Sequence, residues 1–335
     1  MVCGRAALGF AVAFLSAGFT AAQADDFYQG RTINVMIGVG AGGFYDLNAR
    51  LVARHIGRHI PGRPTLVPQN MTGAGGVVMA AYLANVAAKD GSYIGMIANN
   101  FPAMQAAGIE AMRADLSKFQ WIGSLSPLTG VMTLMNTINV HSIADARGKE
   151  IIVGASGRGA DTYSMPAMMN EFLGTKFKIV TGYKGGNDVN LAMERGEVSG
   201  RYNFWSSWKT TRPDWVRDKT IIQIAYMGPK PNDLPGVPSV SELAGSDDDR
   251  RIINLVVSGT RLGTPLAFAG GVPGDRIAIV RQAFDATMRD SEFLADAEKL
   301  QVSVDPVSGE ELQAIVAEVL AIPKPLAKRA RALLE

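Results

Sequence analysis

Residues 32–98 alternate strand, glycine turn and helix, and this pattern restricts the chain to a narrow set of folds. The apolar stretch Ile33 to Val39 leads into a turn at Gly40 to Gly43, and a helix is predicted over Tyr45 to His59. Leu47, Leu51, Val52 and Ile56 fall on one side of that helix. Arg50, Arg54 and Arg58 form an i, i+4, i+8 stripe on another, read as a solvated face. A strand at Thr65 to Pro68, a second glycine turn at Gly73 to Gly76, a helix to about Ala88 and a strand at Tyr93 to Ala98 continue the pattern. Such alternation gives α/β architecture with mostly parallel strands.

Strands are expected at Gln120 to Ser124 and Gly130 to Met135, and a new series of units starts at Glu150 to Val153. That series holds helices at Thr162 to Leu173 and Asp188 to Arg195, strands at Phe177 to Val180 and Val198 to Phe204, and a helix opened by Asp247-Asp248-Asp249. Two series imply two lobes with chain crossings near Ser124 to Gly130 and Gly259 to Phe268. Lobe 1 is expected to comprise residues 25–126 and 262–335, and lobe 2 residues 127–261. The helices in Pro273 to Leu300 and Gly309 to Leu334 should pack back on lobe 1.

The N-terminus carries one charge, Arg5, then an apolar run from Ala6 to Phe19 and the small-residue site Ala22-Gln23-Ala24. This reads as a cleavable secretory signal peptide over residues 1–24. The run is too short for a spanning helix, which needs roughly 20 residues. Cys3, the single cysteine, would leave with it, so the mature chain should hold no disulfide and no thiolate metal site. With Arg5 removed, 32 basic residues face 31 acidic ones, a balance that argues against nucleic acid or a polybasic membrane contact. The mature protein is expected to be exported and soluble.

Three chemistries can be weighed on motifs. Gly38-Val39-Gly40-Ala41-Gly42-Gly43 satisfies G-x-G-x-x-G between a strand and a helix, but dinucleotide binding also needs an acidic residue about 20 positions on. Between Leu47 and Lys89 there is no Asp or Glu. What survives is a turn whose N–H groups, with the helix N-terminus, favour an anion. Gly154-Ala155-Ser156-Gly157 resembles a nucleophile elbow, yet Arg158 stands where the motif needs glycine, and His55, His59 and His141 all precede Ser156. His55 and His59 have a metal-compatible spacing but lack a glutamate and are flanked by arginines, so they read as surface histidines. No cofactor or metal is implied.

Taken together, the motifs resemble those of the tripartite tricarboxylate transporter substrate-binding proteins, the Bug or TctC family. The resemblance spans the mature chain and is carried by Ala41 to Asp46 with Ala49-Arg50, Asn70 with Gly73 to Gly76, and Lys89 to Tyr93. It continues through Gly154 to Gly159, Tyr183 to Gly186 with Gly196-Glu197-Val198, and Leu234 to Ser239 with Glu242. It implies a two-lobed periplasmic-binding-protein fold of type II-like topology, with a small organic carboxylate held between lobes that close over it. It further implies delivery of that ligand to integral-membrane permease subunits, with the receptor a periplasmic monomer. Carried over by position, the first-lobe contacts are Gly42, Gly43, Phe44, Tyr45 and Asp46, and the second-lobe contacts Ser156, Gly159, Ala160, Asp161 and Thr162.

Departures from the family bear on the ligand. The first loop is commonly small where this chain has Phe44 and Tyr45, and the second commonly has Ser where it has Asp161, which either meets the ligand or caps the helix from Thr162. Asp46 carries the same two readings. The segment Arg201 to Trp208 is aromatic, so Asn203 and Trp205 either line the cleft or pack in a core, and Tyr183 is expected in the cleft wall. Arg158, Lys184 and Arg201 are the candidate cations. A ligand-sensing receptor subunit and an exported enzyme on the same scaffold are the alternative functions.

Overall fold

The structure, a computed structural model, describes Met1 and residues 27–109 and 113–334; apart from Met1, the predicted signal peptide lies outside the described residues. Eleven strands are described: β1 Thr32–Ile37, β2 Thr65–Asn70, β3 Tyr93–Met96, β4 Gln120–Ser124, β5 Gly130–Met135, β6 Ile151–Gly154, β7 Phe177–Val180, β8 Gly200–Phe204, β9 Ile221–Met227, β10 Leu266–Phe268 and β11 Val307–Ser308. They form a six-stranded sheet, β11-β4-β10-β3-β1-β2, and a five-stranded sheet, β7-β6-β8-β5-β9. Helices flank both. This is the two-lobed α/β architecture that the alternation implied.

Each crossing places one antiparallel strand inside a sheet, and at the edge of the six-stranded sheet β11 also pairs antiparallel with β4. β4 and β5 are consecutive in sequence but lie in different sheets, and β5 enters antiparallel between β8 and β9. On the return, β10 enters antiparallel between β3 and β4. β1, β2 and β3 are mutually parallel, as are β6, β7 and β8. The two crossing segments are tied together where Leu128 N–H donates to Thr260 O at 2.8 Å.

Period-2 alternation sorts the second sheet's core into two halves. Met132, Leu134, Tyr202 and Phe204 share one apolar cluster with Met165, Met168 and Met169 of the Asp161–Leu173 helix. Val131 falls in the other, with Val189, Ala192 and Met193 of the Gly186–Glu194 helix and with Trp205, Trp208 and Trp215. β8 thus presents Tyr202 and Phe204 to one helix layer and Arg201 to the other.

Two helix expectations change. The C-terminal helix Lys324–Leu334 packs mainly against Asp247–Val256 and Asp161–Leu173 beside the second sheet, and meets the first lobe only at the Phe101–Ala106 helix. Ala327, Ala330, Leu333 and Leu334 form its buried stripe, and Arg329 pairs with Asp249 at 2.9 Å. The arginine stripe of the Phe44–Ile56 helix is not simply solvated either. Arg54 and His55 meet Asp296 at 3.2 and 3.0 Å, and Arg58 and His59 meet Asp290 at 3.3 and 2.9 Å. These contacts bury His55, which the sequence placed at the surface.

Candidate functional site

A cavity with about 860 Å³ of empty space, part of it open to solvent, lies between the two sheets' loops. Its first wall comes from the loops after β1, β2 and β3, and its second from the loops after β6 and β7 and from the end of β8. Most parallel strands thus point their C-terminal ends at it, the usual position for a ligand crevice in α/β folds.

The lobes touch backbone to backbone through glycines. Gly40 N–H donates to Lys184 O at 3.2 Å. A Cβ on Gly75, whose φ of +69° already favours glycine, would stand 2.9 Å from the Ala160 Cβ and N. Asn100 Nδ2 donates to Gly159 O at 3.1 Å. The glycines of the first two turns therefore serve close approach of one lobe to the other.

One corner of the cavity is cationic. Arg201 is 4% exposed and lines the cavity, yet among the described residues its side chain forms no ion pair or hydrogen bond, and its Nε is buried without a partner. Its guanidinium sits 4.7 Å from the Trp208 ring centroid and under the first turn of the Gly186–Glu194 helix, where a Cβ on Gly186 would lie 2.5 Å from Nη1. Burial lowers its pKa to about 9, so it keeps its charge at neutral pH. A buried guanidinium at a helix N-terminus is a strong anion site. Asn203, whose Nδ2 is also buried without a partner, lines the same cavity.

A second corner is acidic and aromatic. Asp161 opens the Asp161–Leu173 helix without capping it, and its Oδ1 is buried without a partner. Burial raises its pKa to about 7. Phe44, Tyr45, Tyr202 and Phe204 line the cavity with it, and Phe204 is 6.0, 6.3 and 5.7 Å from the rings of Phe44, Tyr45 and Tyr202. Burial, and then the field of Asp161, raise the pKa of Tyr45 and Tyr202.

Of the residues singled out in sequence, Gly43, Phe44, Tyr45, Ser156, Ala160, Asp161, Thr162 and Asn203 line the cavity. Gly42, Asp46, Gly159, Tyr183 and Trp205 are not part of its lining. Asp46 is a buried clasp that accepts from Gly42 N at 2.8 Å, Arg50 Nε at 2.9 Å and Asn70 Nδ2 at 2.8 Å. Those bonds outweigh burial and hold its pKa below the usual range. Trp205 packs in the second sheet's core and donates Nε1 to Asp233 at 2.8 Å; Tyr183 lies against Gly154. Arg158 bonds Tyr163 Oη at 2.9 Å on the surface, and Lys184 is exposed. Ser156 Oγ faces Thr162 Oγ1 at 3.3 Å, and none of the three histidines lines the cavity. Sequence reasoning missed Asn99 and Asn100, because a side chain after a strand carries no periodic signal, and left Tyr202, within the aromatic segment, open between cleft and core.

No family model matches the chain. A UPF0065 protein of Agrobacterium vitis is 26% identical over 230 residues, 66% of this chain; the chain spans 64% of the length of that relative. The periplasmic binding protein BugD matches with a TM-score of 0.73 at 19% identity, covering 91% of this chain and 98% of that one. MatC of Rhodopseudomonas palustris, solved with bound malate, matches with a TM-score of 0.72 at 18% identity over 91% and 99%. A second R. palustris protein, solved with adipate, gives 0.70 at 19% identity over 90% and 97%. The UPF0065 relative and the shared fold agree with the resemblance to the Bug/TctC family that the motif order carries.

Proposed function

We propose that this chain is a periplasmic solute-binding protein that captures a small carboxylate in the interlobe cavity and hands it to the permease subunits of a tripartite transporter. The observation that carries the reading is Arg201: a charged guanidinium, buried at a helix N-terminus, lines a cavity and has no hydrogen-bond or ion-pair partner among the described residues. An uncompensated buried charge is costly, and an anionic ligand is the group that would compensate it. The cavity walls come from both lobes, so an anion there would hold the lobes together and be shielded from water. Relatives in fold solved with malate and adipate agree with a carboxylate. Export rests on the N-terminal segment, and delivery to a permease on the family.

Thermal unfolding of the full mature chain across aliphatic, aromatic and amino carboxylates tests this. A bound ligand raises the melting temperature by mass action, increasingly with concentration. At least one member should do so. A flat response across the panel sinks the reading.

A further inference from the structure

Asp161 and Arg201 reach the cavity from opposite faces of one strand. On β8, Arg201 belongs to the layer of Trp208 and the Gly186–Glu194 helix, while Tyr202 and Phe204 belong to the layer of the Asp161–Leu173 helix. Strand alternation therefore keeps the cation and the carboxyl apart, and no ion pair joins them. Each polar group is left for something else. The two subsites differ in character as well: Arg201 has a helix N-terminus beside it, whereas Asp161 has Tyr45 and Tyr202 within reach of its charge, Phe204 in the same cavity wall, and no cation bonded to it among the described residues.

A carboxyl buried among aromatic faces is suited to a protonated nitrogen. The carboxylate supplies charge and an acceptor, the ring faces supply their negative quadrupole, and displacement of water strengthens both. A second ligand carboxylate at the same point would meet a like charge or require Asp161 to stay protonated. Resting on the carboxylate-binding reading, we propose that Asp161 with Tyr45, Tyr202 and Phe204 forms an ammonium subsite, and that the ligand is an amino carboxylate whose carboxylate meets Arg201 across the end of β8.

Binding would then ionise Asp161, which burial holds partly protonated at neutral pH, and release its proton to solvent. Isothermal titration of the full mature chain at pH 6.5, in buffers of different ionisation heat, reads affinity and proton count together. The probes are 4-aminobutyrate, 5-aminopentanoate and the common α-amino acids, beside butyrate, pentanoate, succinate and adipate. At least one amino carboxylate should bind ten-fold or more tighter than its amine-free counterpart, with net proton release. Asp161→Asn, close in volume, should lose that ten-fold preference and the proton release. Tighter binding of succinate or adipate with proton uptake would overturn the ammonium subsite and leave carboxylate binding standing. An amine preference that survives in Asp161→Asn would also overturn it. Failure of every probe would sink both readings. The proton count on the unmodified chain decides the matter even if the variant folds poorly.

Discussion

Asn100 Nδ2 donates to the carbonyl oxygen of Gly159 at 3.1 Å, linking the loop after β3 to the loop after β6 across the cleft. Asn100 is almost fully buried and lines the cavity. The bond exists only when the lobes are together, so it stabilises closure and not either lobe alone. A neutral hydrogen bond of this kind contributes about 1 kcal/mol net. Asn100→Ala should therefore weaken ligand binding about five-fold while shifting the melting temperature of the ligand-free protein little, as read by calorimetry and thermal unfolding. An unchanged dissociation constant would show that this contact does not help to close the lobes.

Arg201 should trade stability for function. Its folded pKa of about 9 lies below the ordinary arginine value, so the deficit is complete below pH 9 and is relieved only as pH rises toward the unfolded value. Replacing a buried ion by an apolar side chain of similar volume is often neutral or stabilises by about 1–4 kcal/mol. Arg201→Met should raise the melting temperature of the ligand-free chain at pH 7. The same variant should lose carboxylate affinity by about two orders of magnitude, the scale of a buried charge-assisted pair.

Asp161 gives ligand-free stability a pH dependence of definite sign. Its folded pKa, about 7, is above the ordinary carboxyl value, so between roughly pH 4 and 7 the folded chain binds more protons than the unfolded one. Stability then falls as pH rises through that window, and the whole deficit is present above pH 7. Asp161→Asn should flatten this slope and be the more stable protein at pH 8, by about 2–4 kcal/mol. Denaturant titrations at pH 5, 6.5 and 8 measure it. A wild-type curve rising from pH 5 to 8 relative to Asp161→Asn would contradict the burial described.

Asp46 should behave in the opposite sense. Its depressed pKa means that it contributes stability at neutral pH and loses it as pH falls through the folded value. Asp46→Ala strands the N–H of Gly42 and the side chains of Arg50 and Asn70. A loss of about 3 kcal/mol is expected. Stability near pH 2–3 should differ much less between variant and wild type.

The two series of units, the crossings and the glycine turns were legible because strand and helix periods and turn chemistry are local properties. The site was legible only where it coincided with those turns: Gly43 to Tyr45 and Ala160 to Thr162 sit at helix starts that the sequence marks. Asp46 and Asp161 looked alike in sequence, each an acidic residue at a glycine-turn helix start. Tertiary contacts separate them, since Asn70 arrives from β2 to bond Asp46, whereas Asp161 Oδ1 stays buried without a hydrogen-bond partner among the described residues. Arg201 could be named as a candidate cation but not chosen over Arg158 or Lys184, because which face of β8 meets the cavity depends on how the sheet is covered. The main neighbours of Lys324–Leu334 were hidden for the same reason: an amphipathic helix states that it must be buried, not against what.

Calorimetric titration of carboxylates into the full mature chain and into Arg201→Met, side by side at pH 7, is the most direct test of the cavity as a carboxylate-binding site. Saturable one-to-one binding by the unmodified chain, lost or weakened about a hundred-fold in the folded variant, is the expected result. Equal affinity in the two proteins, or heat of dilution alone in the unmodified one, would contradict it.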